Sequence, residues 1–156
     1  MKVDRVNLGV RRRFRGTLFL LPAMFSPFSR IRVSFHRLRG VRIGPDAEIG
    51  YMVMIDNLYP HMVSIGRGAT VSYGSTILAH DESKRYSRGR DDVVKPVRIG
   101  ERVFIGVNSI VLPGASIGDR TIVGASTLVN RDVDPDSTVV GMPFRYVERK
   151  GRKASS

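Results

Sequence analysis

Aliphatic residues recur at every sixth position over much of the chain. The strictest series contains Ile99, Ile105, Val111, Ile117, Val123 and Val129. Two shorter series have the same spacing, Ile43, Ile49 and Ile55, followed by Ile65, Val71 and Ile77. A helix needs a period of about 3.6 residues and a half-buried strand a period of about 2, so neither explains a period of six.

A six-residue unit suits a short strand followed by a turn. When such units stack as coils, each inward aliphatic side chain lies about 4.8 Å from its counterpart in the next coil. A glycine follows seven of these twelve aliphatic residues, as Gly100 follows Ile99, and lets the backbone turn a corner without a Cβ clash. The sequence therefore predicts an all-β fold, a parallel β-helix.

Two breaks interrupt the period. The step from Ile55 to Ile65 is ten residues, which predicts a small bulge around residues 57–61. The step from Ile77 to Ile99 is twenty-two residues, and residues 81–96 within it are charged and have no periodicity. This segment is predicted to be an extruded loop, with His80 at its root.

The segment before the repeats predicts a helix over residues 27–39. Ser26 followed by Pro27 is typical of a helix N-cap and first turn, and Gly40 can end the helix. Helical spacing places Phe28, Ile31, Phe35 and Leu38 on one apolar face. We expect this face to cover the first coil, because an uncapped β-helix would expose unpaired strand edges.

The positive charge of the chain is concentrated at its two ends. The formal net charge is +12, but residues 41–144 contain eleven basic and twelve acidic residues. Residues 1–40 contain ten basic residues and one acidic residue, and residues 145–156 contain five and one. These boundaries predict a basic arm with a capping helix, a near-neutral β-helix domain and a basic tail. A near-neutral body with few aromatic residues for stacking speaks against nucleic acid as a partner.

Residues 11–25 combine four arginines with an apolar run. The run resembles the start of a secretory signal, but Pro22 interrupts it and no small-residue cleavage site follows. No stretch of eighteen apolar residues occurs in the chain, and it contains no cysteine. We expect a cytoplasmic protein. Residues 1–25 either associate with the inner face of the membrane or form a disordered or partner-packed arm.

The repeats resemble those of the hexapeptide-repeat acyltransferases over about residues 40–148. That resemblance implies a left-handed parallel β-helix with three units per coil. A more detailed resemblance, to the galactoside and maltose O-acetyltransferases, rests on an ordered set of motifs. They are His80 before the loop, Val103–Asn108 after it, Leu112–Asp119, Val123–Ser126, Arg131–Val133 and Gly141–Pro143.

The resemblance implies acetyl transfer from acetyl-CoA to a hydroxyl of a saccharide or glycoconjugate, as in polysaccharide biosynthesis. A neutral alcohol attacks a thioester poorly and needs a base, and an imidazole with an ordinary pKa of about 6.5 is suited to that role. His80 is therefore the expected catalytic base, in a direct transfer without an acyl-enzyme. The other ring nitrogen needs a partner, for which Asp81, Glu82 and a backbone carbonyl are candidates.

Three residues are candidates for contacting the acceptor. Asp56 lies near the position where related enzymes hold the acceptor hydroxyls, although it could equally be a turn aspartate. His61 lies in the smaller break and is either a lining residue or structural. Met52 stands where the galactoside enzymes place asparagine, which favours a less polar acceptor. The third histidine, His36, is expected to be a solvated residue of the lid helix.

The resemblance also implies a coenzyme A site in a groove between the subunits of a homotrimer. Small side chains along this groove let the pantetheine approach the backbone, and cations bind the phosphates. By position, the implied residues are Ser72, Phe104, Val107, Asn108, Ala125, Asn130, Arg131, Arg145 and Lys150.

Two other classes of protein share features with this sequence. A zinc carbonic anhydrase of similar fold needs three protein ligands, and the three histidines, at 36, 61 and 80, are too widely spaced to supply them. No metal is therefore expected. A non-catalytic β-helix oligomer that docks on an anionic membrane through its basic ends is the remaining alternative.

Overall fold

The computed structural model describes residues 17–89 and 92–147. In this part of the chain, three α-helices and one 3-10 turn accompany a series of very short strands. The helices are α1 (Leu20–Phe25), α2 (Ser29–Arg39) and α3 (Ser83–Arg88), and the 3-10 turn is Pro60–Met62. The strands are β1 (Arg42–Ile43), β2 (Glu48–Ile49), β3 (Met54–Ile55), β4 (Val63–Ile65), β5 (Thr70–Val71), β6 (Thr76–Ile77), β7 (His80–Asp81), β8 (Val93–Val94), β9 (Val97–Ile99), β10 (Phe104–Ile105), β11 (Ile110–Val111), β12 (Ser116–Ile117), β13 (Ile122–Val123), β14 (Leu128–Val129), β15 (Thr138–Val140) and β16 (Arg145–Tyr146).

The strands form the three walls of a left-handed parallel β-helix, which confirms the predicted fold. The first sheet contains β1, β4, β9 and β12, the second β2, β5, β10, β13, β15 and β16, and the third β3, β6, β11 and β14. All pairings among these strands are parallel except that of β15 with β16.

The inward aliphatic residues stack in register from coil to coil. Ile65 pairs with Ile43 and with Ile99, which in turn pairs with Ile117. In the second and third sheets the stacked residues are at most 1% exposed. Burial of each such side chain stabilises the folded state by about 1.5–3 kcal/mol. The period of six therefore encodes the core directly.

The glycines next to the inward residues serve close coil-to-coil packing. A Cβ on Gly106 would lie 2.5 Å from the backbone nitrogen of Ala125 in the next coil. The left-handed corners are instead occupied largely by residues with side chains, such as Met52, Asn108 and Ser126, with φ between 53° and 55°. The sequence predicted that these glycines turn the corners. In the structure they allow close packing of the coils, and other residues occupy the corners.

Helix α2 covers the first coil, and Gly40 ends it with a φ of 109°, as predicted. The predicted start of the helix is wrong. Its N-cap is Phe28, and Ser26 instead ends α1, where its hydroxyl donates to the carbonyl of Pro22 at 2.6 Å. Part of the segment expected to be an arm is thus a second helix that packs on α2, with the rings of Phe19 and Phe35 stacked at 5.7 Å.

The face of α2 that contacts the coil is mainly polar, with Val33 as its buried apolar residue, contrary to the prediction. Arg32, His36 and Arg39 are buried, whereas Phe28 of the predicted apolar face is 67% exposed and Leu38 45%. The reason is that the open coil presents unpaired carbonyls. The guanidinium of Arg32 donates to the carbonyl of Ile49 at 2.8 Å, and that of Arg39 donates to those of Ile55 and Asp56 at 2.8 and 2.9 Å. Leaving such carbonyls unpaired would cost more than exposing a few apolar side chains.

His36, expected to be solvated, is fully buried beneath α2. Its Nδ1 lies 3.0 Å from a guanidinium nitrogen of Arg39. Burial, together with the charges of Arg39 and Arg32, lowers the pKa of His36 to about 3. The ring is therefore neutral at physiological pH and accepts a hydrogen bond from Arg39.

The extruded loop is more ordered than its composition indicates. Strands β7 and β8 pair antiparallel at its root, with His80 opposite Val94, and α3 forms most of its tip. At the far end of the coils, Phe144 is buried and the guanidinium of Arg131 lies 4.5 Å from its ring centroid. Lys150, a candidate phosphate ligand, lies outside the described residues.

Candidate active site

The side chain of His80 lies at the root of the extruded loop and is 14% exposed. Ala79, which precedes it, is buried in the core, and its carbonyl accepts a hydrogen bond from the backbone nitrogen of Lys95 at 2.9 Å. The pairing of β7 with β8 holds the other side of the histidine. A packed neighbour and a paired strand together fix the backbone that carries the imidazole.

A buried carboxylate orients the imidazole. The Oδ2 of Asp56 lies 2.6 Å from the Nδ1 of His80, and Asp56 is fully buried. Its Oδ1 accepts hydrogen bonds from the backbone nitrogens of Leu58 and Tyr59, and Oδ2 accepts one from Ala79. Because Asp56 offers only acceptors, Nδ1 of His80 carries the ring proton and Nε2 carries the lone pair. Such an arrangement can take a proton from an alcohol.

Asp56 and His80 meet because the coils place them on one edge. Ile55 pairs with Ile77, which pairs with Val111, which pairs with Val129. The residues that follow these four therefore form a column where the third sheet passes to the first. We call this column the His80 edge; it consists of Asp56, Leu78–His80, Leu112 and Asn130.

Asp81 does not orient the histidine, and its predicted catalytic role is wrong. Its Oδ1 accepts a hydrogen bond from the backbone nitrogen of Ser83 at 2.8 Å, at the start of α3. This bond is the main reason why the pKa of Asp81 is lowered. Glu82, the second candidate, lies 3.9 Å from Arg85 instead. The role expected of either residue belongs to Asp56.

Asp56 is correspondingly not placed to hold an acceptor, because its carboxylate is fully buried and engaged by four donors. His61 lies on the 3-10 turn with its ring centroid 6.2 Å from that of Tyr59. Met52 is 42% exposed, and its sulfur accepts a hydrogen bond from the Tyr73 hydroxyl at 3.3 Å. These two residues remain candidates for the acceptor site.

Tyr59 is a site residue that the sequence analysis missed. It is 6% exposed, and its ring lies 5.5 Å from the imidazole of His80, tilted by 55°. Its backbone nitrogen also donates to Asp56 at 2.7 Å. The signal was present in the ten-residue step from Ile55 to Ile65, because the bulge of this break brings Tyr59 to the histidine.

The candidate coenzyme A residues fall on two different edges of the coils. Tyr73, Val107 and Ala125 form a column where the second sheet passes to the third. We call this column the Val107 edge. Ser72 and Asn108 adjoin it, and Phe104 lies on β10 with 46% of its surface exposed. Asn130 and Arg131 instead lie on or beside the His80 edge. Arg145 lies on β16 and is exposed.

Among the described residues, no group of three or more histidines and carboxylates is arranged to hold a metal ion. The imidazole of His80 and the carboxylate of Asp56 can together accept a proton and return it.

Residues 96–131 match the family model described as "Bacterial transferase hexapeptide (six repeats)". The chain is 35% identical over 130 residues to "Putative acetyltransferase YvoF" of Bacillus subtilis. The aligned region covers 82% of this chain and 72% of that protein. The chain is 30% identical to a serine acetyltransferase of Synechococcus elongatus over 88% of this chain, but it spans only 52% of that protein.

Solved structures share the fold. A hexapeptide-repeat acetyltransferase from Vibrio cholerae in complex with acetyl-CoA superposes with a TM-score of 0.69 and 21% identity, over 93% of this chain and 91% of that chain. A galactoside acetyltransferase in complex with coenzyme A gives a TM-score of 0.69 and 20% identity, over 96% and 86%.

Proposed function

Because the chain belongs to the hexapeptide-repeat acetyltransferase family, we propose that it transfers an acetyl group from acetyl-CoA to a hydroxyl of a saccharide or glycoconjugate. The observation that carries this proposal is the 2.6 Å contact between the buried carboxylate of Asp56 and Nδ1 of His80. It leaves Nε2 of a partly exposed imidazole as the base.

The proposed reaction is a direct transfer. Nε2 of His80 takes the proton of the acceptor hydroxyl as its oxygen attacks the thioester carbonyl. The resulting tetrahedral intermediate expels the coenzyme A thiolate, which receives the proton from the imidazolium. Asp56 stabilises the transient charge on the ring and holds it in one tautomer, as the carboxylate of a catalytic triad does.

Coenzyme A is proposed to bind in a groove between subunits. The candidates Ser72, Phe104, Val107, Asn108 and Ala125 lie on or near the Val107 edge, whereas His80 lies on a different edge of the same protomer. A homotrimer in which the Val107 edge of one protomer faces the His80 edge of the next would unite them. Asn130, on the His80 edge, is then a proposed contact of the pantetheine arm, and Arg131, Arg145 and Lys150 are the proposed contacts of the coenzyme A phosphates.

The acceptor is proposed to lie between His61 of one protomer and Met52 of the next, because Met52 lies between β2 and β3 on the Val107 edge, whereas His61 lies beside Tyr59 near His80. Neither residue supplies a carboxylate or amide that would hydrogen-bond several hydroxyls, and the side chain of Met52 is apolar. This composition favours an acceptor with an apolar portion, such as a glycoconjugate, over a free simple sugar.

Release of free thiol from acetyl-CoA tests the proposal. The chain contains no cysteine, so the only thiol that a colorimetric reagent can detect is that of coenzyme A. We expect acceptor-dependent thiol release with at least one member of a panel of sugars, nucleotide sugars and glycolipids. The panel also includes serine, because one relative is a serine acetyltransferase. We also expect His80→Ala to abolish it without loss of fold. Full turnover by His80→Ala would reject the mechanism. A folded protein that releases no thiol with any acceptor would favour the non-catalytic alternative.

A further inference from the structure

The outer surface of α1 and α2 carries a concentration of exposed apolar side chains. Those of Leu18, Leu21, Phe25, Phe28, Ile31 and Leu38 are between 41% and 67% exposed. We call these six residues the outer face of the lid. Isolated exposed apolar residues are ordinary on a protein surface, whereas six of them on or beside two helices that pack on each other point to an interaction surface.

The fold fixes the outward orientation of this face. Arg32 and Arg39 bind the carbonyls of Ile49, Ile55 and Asp56 from the opposite side of α2, so the helix cannot rotate to bury its apolar side. Helix α1 packs against α2 through Phe19 and Phe35 and leaves Leu21 and Phe25 outward. The exposure is thus a consequence of how the lid binds the coil.

Every charged residue between positions 17 and 40 is basic. Arg30 and Arg37 are exposed beside the apolar stripe of α2, and Arg37 also donates to the carbonyls of Ile43 and Gly44. The nearest acidic residues, Asp46 and Glu48 of the first coil, line a cavity with these two arginines on one side of the face. By sequence, residues 1–16, which lead directly into Leu18, contain six basic residues and one acidic residue. Apolar residues bordered by cations are the composition of helices that lie in a membrane interface.

We propose that the outer face of the lid docks on an anionic membrane surface, with its aromatic and aliphatic side chains in the interface and its arginines at the lipid headgroups. None of the helices in the described part of the chain is long and apolar enough to cross a bilayer. The attachment that we propose is peripheral. The cytoplasmic leaflet, which bears anionic lipids, is the proposed location.

A second copy of the chain is a poorer occupant of this face. Two such surfaces brought together would oppose basic segments that contain no acidic residue between positions 17 and 40. The nearest carboxylates, Asp46 and Glu48, already line a cavity with Arg30 and Arg37 of their own protomer.

Co-sedimentation of the full chain with lipid vesicles tests the proposal. We expect binding to vesicles of phosphatidylcholine with about one third phosphatidylglycerol, and at least about tenfold weaker binding to pure phosphatidylcholine or at high salt. Leu21→Ser combined with Phe28→Ser should weaken binding at least about tenfold. Leu38→Gln, at the other end of the face, should weaken it less but measurably.

Tyr86→Ser is the matched control, because Tyr86 is 77% exposed on α3, outside this face. It should bind like the unaltered chain, and circular dichroism of all variants should show that the lid helices remain. Equal vesicle binding by the double variant and the control would overturn the proposal, as would the absence of binding by the unaltered chain. A reduced assembly size of the double variant in sedimentation would instead assign the face to self-association and overturn it likewise.

Discussion

The carboxylate of Asp56 and the imidazole of His80 meet at 2.6 Å although 24 positions separate them in the chain. One coil of the β-helix and the start of the extruded loop bring them together. The four donors around the carboxylate, three of them backbone nitrogens, hold it in place before any substrate arrives. The coil architecture thus supplies the preorganisation that general base catalysis needs.

Arg39 is predicted to be essential for the stability of the lid. Arg39→Ala would leave the buried carbonyls of Ile55 and Asp56 without donors, and we expect unfolding by urea to show a loss of about 2–5 kcal/mol. Arg42→Ala is the control, because Arg42 is exposed on β1, and should change stability by less than about 0.5 kcal/mol. Similar losses for both variants would contradict the capping role of Arg39.

His36 predicts a pH dependence of stability. Its pKa is about 3 in the folded protein against 6.5 for an ordinary histidine, so the unfolded chain binds an additional proton below pH 6.5. The stabilisation from the neutral buried ring is therefore complete above pH 6.5 and is lost as the pH falls towards 3. The total is on the order of 4–5 kcal/mol.

Comparison with a His36 variant between pH 6.5 and 5 isolates this effect, because most carboxylates titrate below that window and the other two histidines are common to both proteins. Urea unfolding across that window should show stability rising by about one kcal/mol per pH unit, and His36→Gln should remove most of this slope. An unchanged slope in the variant would show that the ring titrates normally.

Close packing of the coils predicts the cost of adding a single methyl group. A Cβ at Gly106 would lie 2.5 Å from the backbone of Ala125, so Gly106→Ala must displace a coil, and we expect a loss of at least about 3 kcal/mol. Gly89→Ala, with nothing within 4 Å and a φ of 61°, carries only the left-handed strain of about 1 kcal/mol. Thermal unfolding of the two variants should separate them clearly. A smaller loss at Gly106 than at Gly89 would show that the coils yield easily.

The sequence predicted the coils well because each unit repeats the same local requirement. An inward aliphatic residue every six positions, as from Ile99 to Val129, leaves few alternative structures, and the register follows from the period. The lid was predicted in place but with the wrong face inward. Apolar periodicity assumes that the covered surface is apolar, whereas the open coil presents carbonyls that Arg32 and Arg39 satisfy.

The catalytic base could be proposed from sequence, but its partner could not. Asp81 is adjacent to His80 in the chain, yet successive side chains of a strand point to opposite sides. Asp56 is distant in sequence, and its proximity depends on the bulge at residues 57–61 and on the path of the chain after Ile77. Neither follows from the period, because both lie where the period breaks.

The central claim is that His80, held by Asp56, is the base. Comparison of kcat for Asp56→Asn and Asp81→Asn tests it most directly, with thiol release from acetyl-CoA as the readout at saturating substrates. We expect Asp56→Asn to lower kcat by about 10²- to 10⁴-fold, because an amide no longer holds the tautomer or stabilises the imidazolium, while circular dichroism shows a folded protein. Asp81→Asn should retain activity within about twofold. Equal kcat values for the two folded variants, or a loss confined to Asp81→Asn, would contradict the claim.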